Sequence, residues 1–138
     1  MENIYAILPS PTRESTPFWE GCNRDELLLQ QCQACKHVFY YARSFCPQCG
    51  DDKLIWQAAS GKGIVYSFSH VHVSFYGPRW ESQIPYTSAL IDLAEGVRML
   101  SRITGPERER VKIGDSVSVS FVAYEGQKLP FFALAPKD

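Results

Sequence analysis

No apolar run in this chain of 138 residues approaches the ~20 needed to cross a bilayer, so no membrane span is expected. The opening MENIYAILPSPTR has neither a basic start nor a long apolar stretch. No secretion signal is read there, and a cytoplasmic protein is expected. Neither sign of charge dominates: 14 Lys and Arg face 15 Asp and Glu, a net charge of −1. That balance argues against a partner held mainly by charge, nucleic acid above all. Histidine is scarce, with three residues, and no glycine-rich loop precedes a helix, so no phosphate cradle is legible. A helix-period segment long enough for an α/β layer is also missing. What is present is ordinary for a folded protein, with 45% hydrophobic and 21% charged residues. The length allows one ordinary domain or two very small ones, and folding should bury about two-thirds of the surface. A second lobe of that size needs a staple.

The cysteines supply one. Five cysteines in a reducing compartment do not read as a disulfide framework. Four of them form two identical spacings, Cys32-Gln-Ala-Cys35 and Cys46-Pro-Gln-Cys49, with ten residues between the pairs. Each Cys-x-x-Cys places two thiolates on one tight turn, and two such turns make a closed tetrahedral sulfur site. Zinc is the expected metal, and a rubredoxin-like iron centre is the other reading. Four protein sulfurs leave no position for water, so the ion is read as structural and not catalytic. Gly50 follows the second pair, where a turn often needs positive φ. Cys22 is left over and reads as a packed thiol, since no base partner is legible.

The pattern divides the chain into an arm with a short helix (1–25), a zinc ribbon (26–53) and a barrel (54–138). In the arm, Met1–Ser15 is punctuated by Pro and Ser and reads as loose. Thr16-Pro17 offers an N-cap followed by a first-turn proline, after which Phe18, Trp19 and Cys22 share an apolar side. Short strands lead into the first cysteine pair (26–31) and out of it (37–41), and His37 is not expected to be a ligand. Strands are then expected at Leu54–Ala59, Ile64–Ser74, Pro85–Ala94 and Val97–Thr104, the last two joined by the two-residue turn Glu95-Gly96. Ser116–Ala123 alternates cleanly, with Val117, Val119, Phe121 and Ala123 on one face. The last strand, from about Lys128 to Ala135, carries Pro130 and reads as an edge or a late entry. Five or so curved strands in this length predict a mainly β protein with a C-terminal OB-fold barrel.

No nucleophile, base and orienter converge in the pattern. His70 and His72 fall on one side of a strand, but no carboxylate completes a metal trio beside them. Their role and that of Cys22 are left unassigned, and no catalytic residue is named. Lys62, Arg43, Arg79 and Arg98 are cations able to meet phosphates, with nothing to rank them. The aromatic break Phe75–Pro85 reads equally as a cover over one barrel mouth and as a binding loop.

In order along the chain, Pro17–Gly21, Leu27–Cys35, Cys46–Gly50, Ala59–Gly63 with Val65–Phe68, Pro85-Tyr86, Glu95–Arg98 and Ile113–Asp115 resemble a known family. It is the zinc-ribbon plus OB-fold family of acyl-CoA-associated accessory proteins. The resemblance covers roughly residues 16 to 135, and all four ribbon cysteines are kept. It implies an accessory subunit without catalysis of its own, in hetero-oligomers with thiolase-like acyltransferases, hydroxymethylglutaryl-CoA synthases, aldolases or hydratases. It also implies that the chain helps enclose acyl-CoA. The competing reading is a single-stranded nucleic-acid module, with Tyr66, Phe68, Tyr76 and Trp80 as stacking residues. The absence of Lys and Arg clusters weighs against it.

Overall fold

The computed structural model describes residues 7–136. Its elements run α1 (Thr16–Asn23), β1 (Leu28–Cys32), β2 (Val38–Phe39), β3 (Leu54–Ala58), β4 (Lys62–Val71), α2 (Pro78–Glu81), β5 (Tyr86–Leu93), β6 (Arg98–Thr104), β7 (Ser116–Tyr124) and β8 (Gln127–Leu134). Among the described residues, no helix is long and apolar enough to cross a membrane.

Strict alternation builds the barrel. In β5, Thr87, Ala89, Ile91 and Leu93 are buried while Tyr86, Ser88, Leu90 and Asp92 face outward. The strands close in the order β4-β5-β6-β8-β7, with β7 returning to β4, which is the OB-fold connection. The one parallel seam is short, pairing Ile103 with Phe132 and Thr104 with Ala133. A bulge between Val65 and Ser67 leaves Tyr66 out of the ladder. Because pairing resumes as Phe68 with Ala89 and His70 with Thr87, both Phe68 and His70 turn to the inner face. Gly63 sits where β4 pairs with β5 and β7 at once. A Cβ there would stand 2.6 Å from the Ile91 methyl, so the crossing requires glycine.

Several expectations change in detail. Leu54–Ala58, expected in the barrel, pairs along its whole length with β1 and completes the sheet β2-β1-β3. Since β2 spans two residues, the far side of β1 supplies the longer ladder and β3 satisfies it. The β5–β6 turn is closed by Gly96 N–H on the Leu93 carbonyl and by Leu93 N–H on the Val97 carbonyl. That makes a three-residue loop with Gly96 at φ +84°, one residue longer than expected. Pro130 lies inside a closed barrel and not on an edge. Its carbonyl accepts from Ser101 Oγ at 2.6 Å, so its missing N–H also faces β6, before the β6–β8 ladder begins at Phe132.

The helix N-cap is Ser15, not Thr16. Of the run expected to be loose, residues 1–6 lie outside the described residues. Thr12 and Ser15 instead form a closed turn, with Thr12 N–H on Ser15 Oγ at 2.8 Å and Thr16 N–H on the Thr12 carbonyl at 3.0 Å. Phe18 and Cys22 on α1 and Leu27 and Leu29 beside it are buried in the same cluster as Ile91, Met99, Ile103 and Phe132 of the barrel. Arm, first ribbon strand and barrel therefore share one core. The Asn23 side chain accepts from Lys128 N–H at 2.9 Å, and Gln127 Nε2 donates to the Trp19 carbonyl at 3.2 Å, tying α1 to β8.

Candidate metal centre and cleft

The two cysteine turns are built alike. In the first, Lys36 N–H bonds the Cys32 carbonyl at 2.9 Å, and Cys32 N–H bonds the His37 carbonyl at 2.9 Å. In the second, Gly50 N–H bonds the Cys46 carbonyl at 3.0 Å, and Cys46 N–H bonds the Asp51 carbonyl at 2.9 Å. Both turns aim their sulfurs at one point. Cys32 and Cys49 Sγ are 3.6 Å apart, as are Cys35 and Cys46 Sγ, and all four sulfurs lie within 4.8 Å of one another. A tetrahedron with Zn–S bonds of about 2.3 Å has edges of about 3.8 Å, so the cage fits a four-sulfur ion. Backbone N–H groups of Cys35 and Gln48 point at Cys32 Sγ (3.5 Å) and Cys46 Sγ (3.4 Å), the polarity that favours thiolates.

Electrostatics single out Cys46. Burial opposes its ionisation, but the Cys49 and Gln48 N–H groups and the neighbouring thiols outweigh that and bring it down to about 7. At Cys49 the Asp51 backbone favours the thiolate, yet the thiols of Cys32, Cys35 and Cys46 push the pKa up to about 12. The cluster thus gathers negative charge that a divalent cation relieves.

His37 stands outside the cage, its ring stacked on Phe39 at 5.9 Å. Among the described residues the four cysteines are the one group arranged to hold a metal. His70 Nδ1 is 2.8 Å from Thr87 Oγ1, and the His70 and His72 ring centroids are 6.5 Å apart. Cys22 is fully buried, and burial pushes its thiol up to about 12, the opposite of a reactive nucleophile. Of the candidate cations, Arg98 is already committed. It bonds Asp92 at 2.6 and 3.2 Å and lies 3.4 Å over the Tyr66 ring.

Sequence reasoning missed Arg102. Its guanidinium lies 4.1 Å from the Tyr86 ring centroid and 4.9 Å from that of Phe131, and Nη1 donates to Gln83 Oε1 at 3.2 Å. Burial draws its pKa below the ordinary guanidinium value, partly opposed by Tyr86. Beside it is a cleft of about 220 Å³ lined by Ile7, Pro9, Trp19, Tyr40, Trp80, Met99, Leu100 and Phe131. The Phe75–Pro85 break contributes Trp80 to this wall, and the Trp80 ring lies 6.2 Å from Tyr86. The signal in the sequence was faint: a cation two residues beyond an outward Leu100, with aromatics at 86 and 131 on the neighbouring strands.

Residues 19–54 match the ChsH2 rubredoxin-like zinc ribbon domain, and residues 56–122 match the ChsH2 C-terminal OB-fold domain. A DUF35 domain-containing scaffold protein of Methanocaldococcus jannaschii is 38% identical over 97 residues, covering 69% of this chain and 67% of that protein. The chain belongs to the DUF35 family. This DUF35 chain is also 29% identical, over 130 residues, to a probable enoyl-CoA hydratase alpha subunit of Thermomonospora curvata. The match takes in 92% of the DUF35 chain but 40% of that longer subunit. Among solved structures, a chain of the Ltp2-ChsH2(DUF35) aldolase superposes with a TM-score of 0.81 at 29% identity. It covers 92% of this chain and 98% of that one.

Proposed function

We propose that this DUF35 chain is an accessory subunit without chemistry of its own, docking on a thiolase-fold or related acyl-CoA enzyme and helping to enclose the acyl-CoA. The observation that carries the reading is the match to the Ltp2-ChsH2(DUF35) aldolase chain over nearly the whole of both chains. In this reading Cys32, Cys35, Cys46 and Cys49 hold a structural zinc, supported by the sulfur cage and by the zinc-ribbon match. The ion would supply a fixed cross-link between the two cysteine turns. The arm, the ribbon sheet with β3 and the five-stranded barrel act as one docking body, and the cysteines stay reduced in the cytoplasm.

Affinity purification of the tagged chain from its native host, with metal analysis of the same sample, tests this. An acyl-CoA enzyme should co-purify in fixed ratio, with one zinc per chain. A folded, zinc-loaded chain that binds neither such an enzyme nor acyl-CoA sinks the reading, as does efficient thioester turnover by the chain alone. A red iron-containing protein would replace the zinc assignment with an electron carrier.

A further inference from the structure

Among the described residues, Arg24, Arg98, Arg110 and Lys128 each meet a carboxylate within 3.4 Å. Arg102 meets none. Its hydrogen-bond partner there is the neutral Gln83 amide, which takes one of the five N–H donors a guanidinium carries. The two flanking rings hold the guanidinium plane in place while withdrawing it from water. A partly desolvated cation with spare donors, set in the wall of an apolar cleft, is complementary to a carboxylate delivered on an apolar segment. Arg, Trp and Tyr around a desolvated pocket are also the residue types that dominate interface energetics. At about 220 Å³ the cleft is smaller than the roughly 300–1,000 Å³ typical of small-molecule sites. It has room for a side chain or two and not for a cofactor.

We propose that the cleft bounded by Arg102, Trp19, Trp80 and Leu100 is a docking pocket for an acidic side chain on an apolar segment of the partner enzyme. The inference rests on the accessory-subunit reading and adds to it a place and a charge sign. Arg102 takes the carboxylate through its free N–H edge, while the neighbouring rings take the apolar flank.

Leu100 gives the sharpest test, because it lines the same cleft and is 62% exposed. The affinity of the co-purified acyl-CoA enzyme is measured by calorimetry for wild type, Leu100→Asp, Leu100→Lys and Arg102→Gln, with zinc content and melting checked for each. Leu100→Asp and Arg102→Gln should weaken binding by roughly tenfold or more, while Leu100→Lys stays within about threefold. The weakening should shrink as salt is raised. Should wild type bind the enzyme and all three variants match it, the cleft is not the docking pocket, although the accessory reading stands. Equal losses for Leu100→Asp and Leu100→Lys would overturn the acidic occupant. A wild-type chain that binds no acyl-CoA enzyme removes both. If Arg102→Gln fails to fold, the Leu100 pair decides alone.

Discussion

Lys36 and Gly50 occupy equivalent places in the two cysteine turns, at φ +68° and +82°, each donating its N–H to the carbonyl of the first cysteine of its pair. Both turns need the left-handed conformation, yet one of them carries a residue with a Cβ. A non-glycine residue there costs roughly 1–2 kcal/mol. Gly50→Ala should therefore destabilise by about 1 kcal/mol through backbone strain alone, since nothing lies within 4 Å of the added Cβ. Lys36→Gly should be neutral or stabilise by up to about 1 kcal/mol, relief of strain competing with a looser unfolded chain. Urea midpoints of the zinc-loaded proteins check both. A Gly50→Ala midpoint equal to wild type would show that the turn is less demanding than its geometry.

Cys46→Ser removes one of the four sulfurs of the cage, the one whose thiol is brought down to about 7. A structural zinc in a small ribbon is worth about 10–16 kcal/mol of apparent binding energy. Bound zinc should fall from one per chain to near zero, and amides of β2 and of the second cysteine turn should lose hydrogen-exchange protection. The barrel amides should keep most of theirs, since the buried cluster that holds Ile91, Met99, Ile103 and Phe132 contains none of the four ribbon cysteines. Enzyme docking should be lost with the ribbon. A mutant that retains zinc and docks normally would contradict the structural-metal assignment.

Phe18 is 1% exposed, and its ring lies 4.9 Å from Trp19, 5.6 Å from Tyr40 and 5.8 Å from Tyr41. It fills the junction of arm, ribbon and barrel. Truncation to Ala leaves a cavity that none of the three can close by itself, at about 3–5 kcal/mol. Phe18→Leu should cost less than half as much. Equilibrium denaturation at fixed zinc gives the difference, and a loss under ~1 kcal/mol for Phe18→Ala would mean that the arm is not part of the core.

What the sequence alone makes legible is local. Two Cys-x-x-Cys spacings bring four sulfurs together because each pair is set by one turn, and the alternation from Val117 to Ala123 carries its own face assignment. Nonlocal pairing was harder. Nothing in Leu54–Ala58 says that its partner is β1 and not a barrel strand, because a short β-prone segment suits either sheet. The bulge at Tyr66 reverses which face Phe68 and His70 occupy, and no local residue preference announces it. Pro130 reads as an edge or a late entry because it lacks a ladder donor, yet the closed barrel offers a gap for it that a linear reading cannot see. The Arg102 cleft gathers residues 19, 40, 80, 102 and 131, so no window of sequence contains it.

Cys22 makes stability depend on alkaline pH in a defined window. Burial raises its thiol from the ordinary value near 9 to about 12. The unfolded chain therefore gives up this proton first, and folding must hold it on. The contribution is fully present below pH 9 and is lost as pH rises from 9 to 12. Tyr40 acts in the same sense over a later window: burial, then the charges of Tyr41 and Cys22, raise it from 10 to about 12. Wild type should lose denaturant midpoint from pH 9 upward, whereas Cys22→Ala should stay flat until Tyr40 enters near pH 10. The comparison isolates the thiol between pH 9 and 10, because the zinc cage is common to both proteins and Tyr40, whose shift owes part to Cys22, enters only later. Thiol labelling at pH 8 should spare Cys22 in the native chain and modify it once denaturant is added. Parallel pH profiles for wild type and Cys22→Ala would show that this thiol is not held protonated by the fold, and with that the tight closure of α1 over the shared core would have to be abandoned.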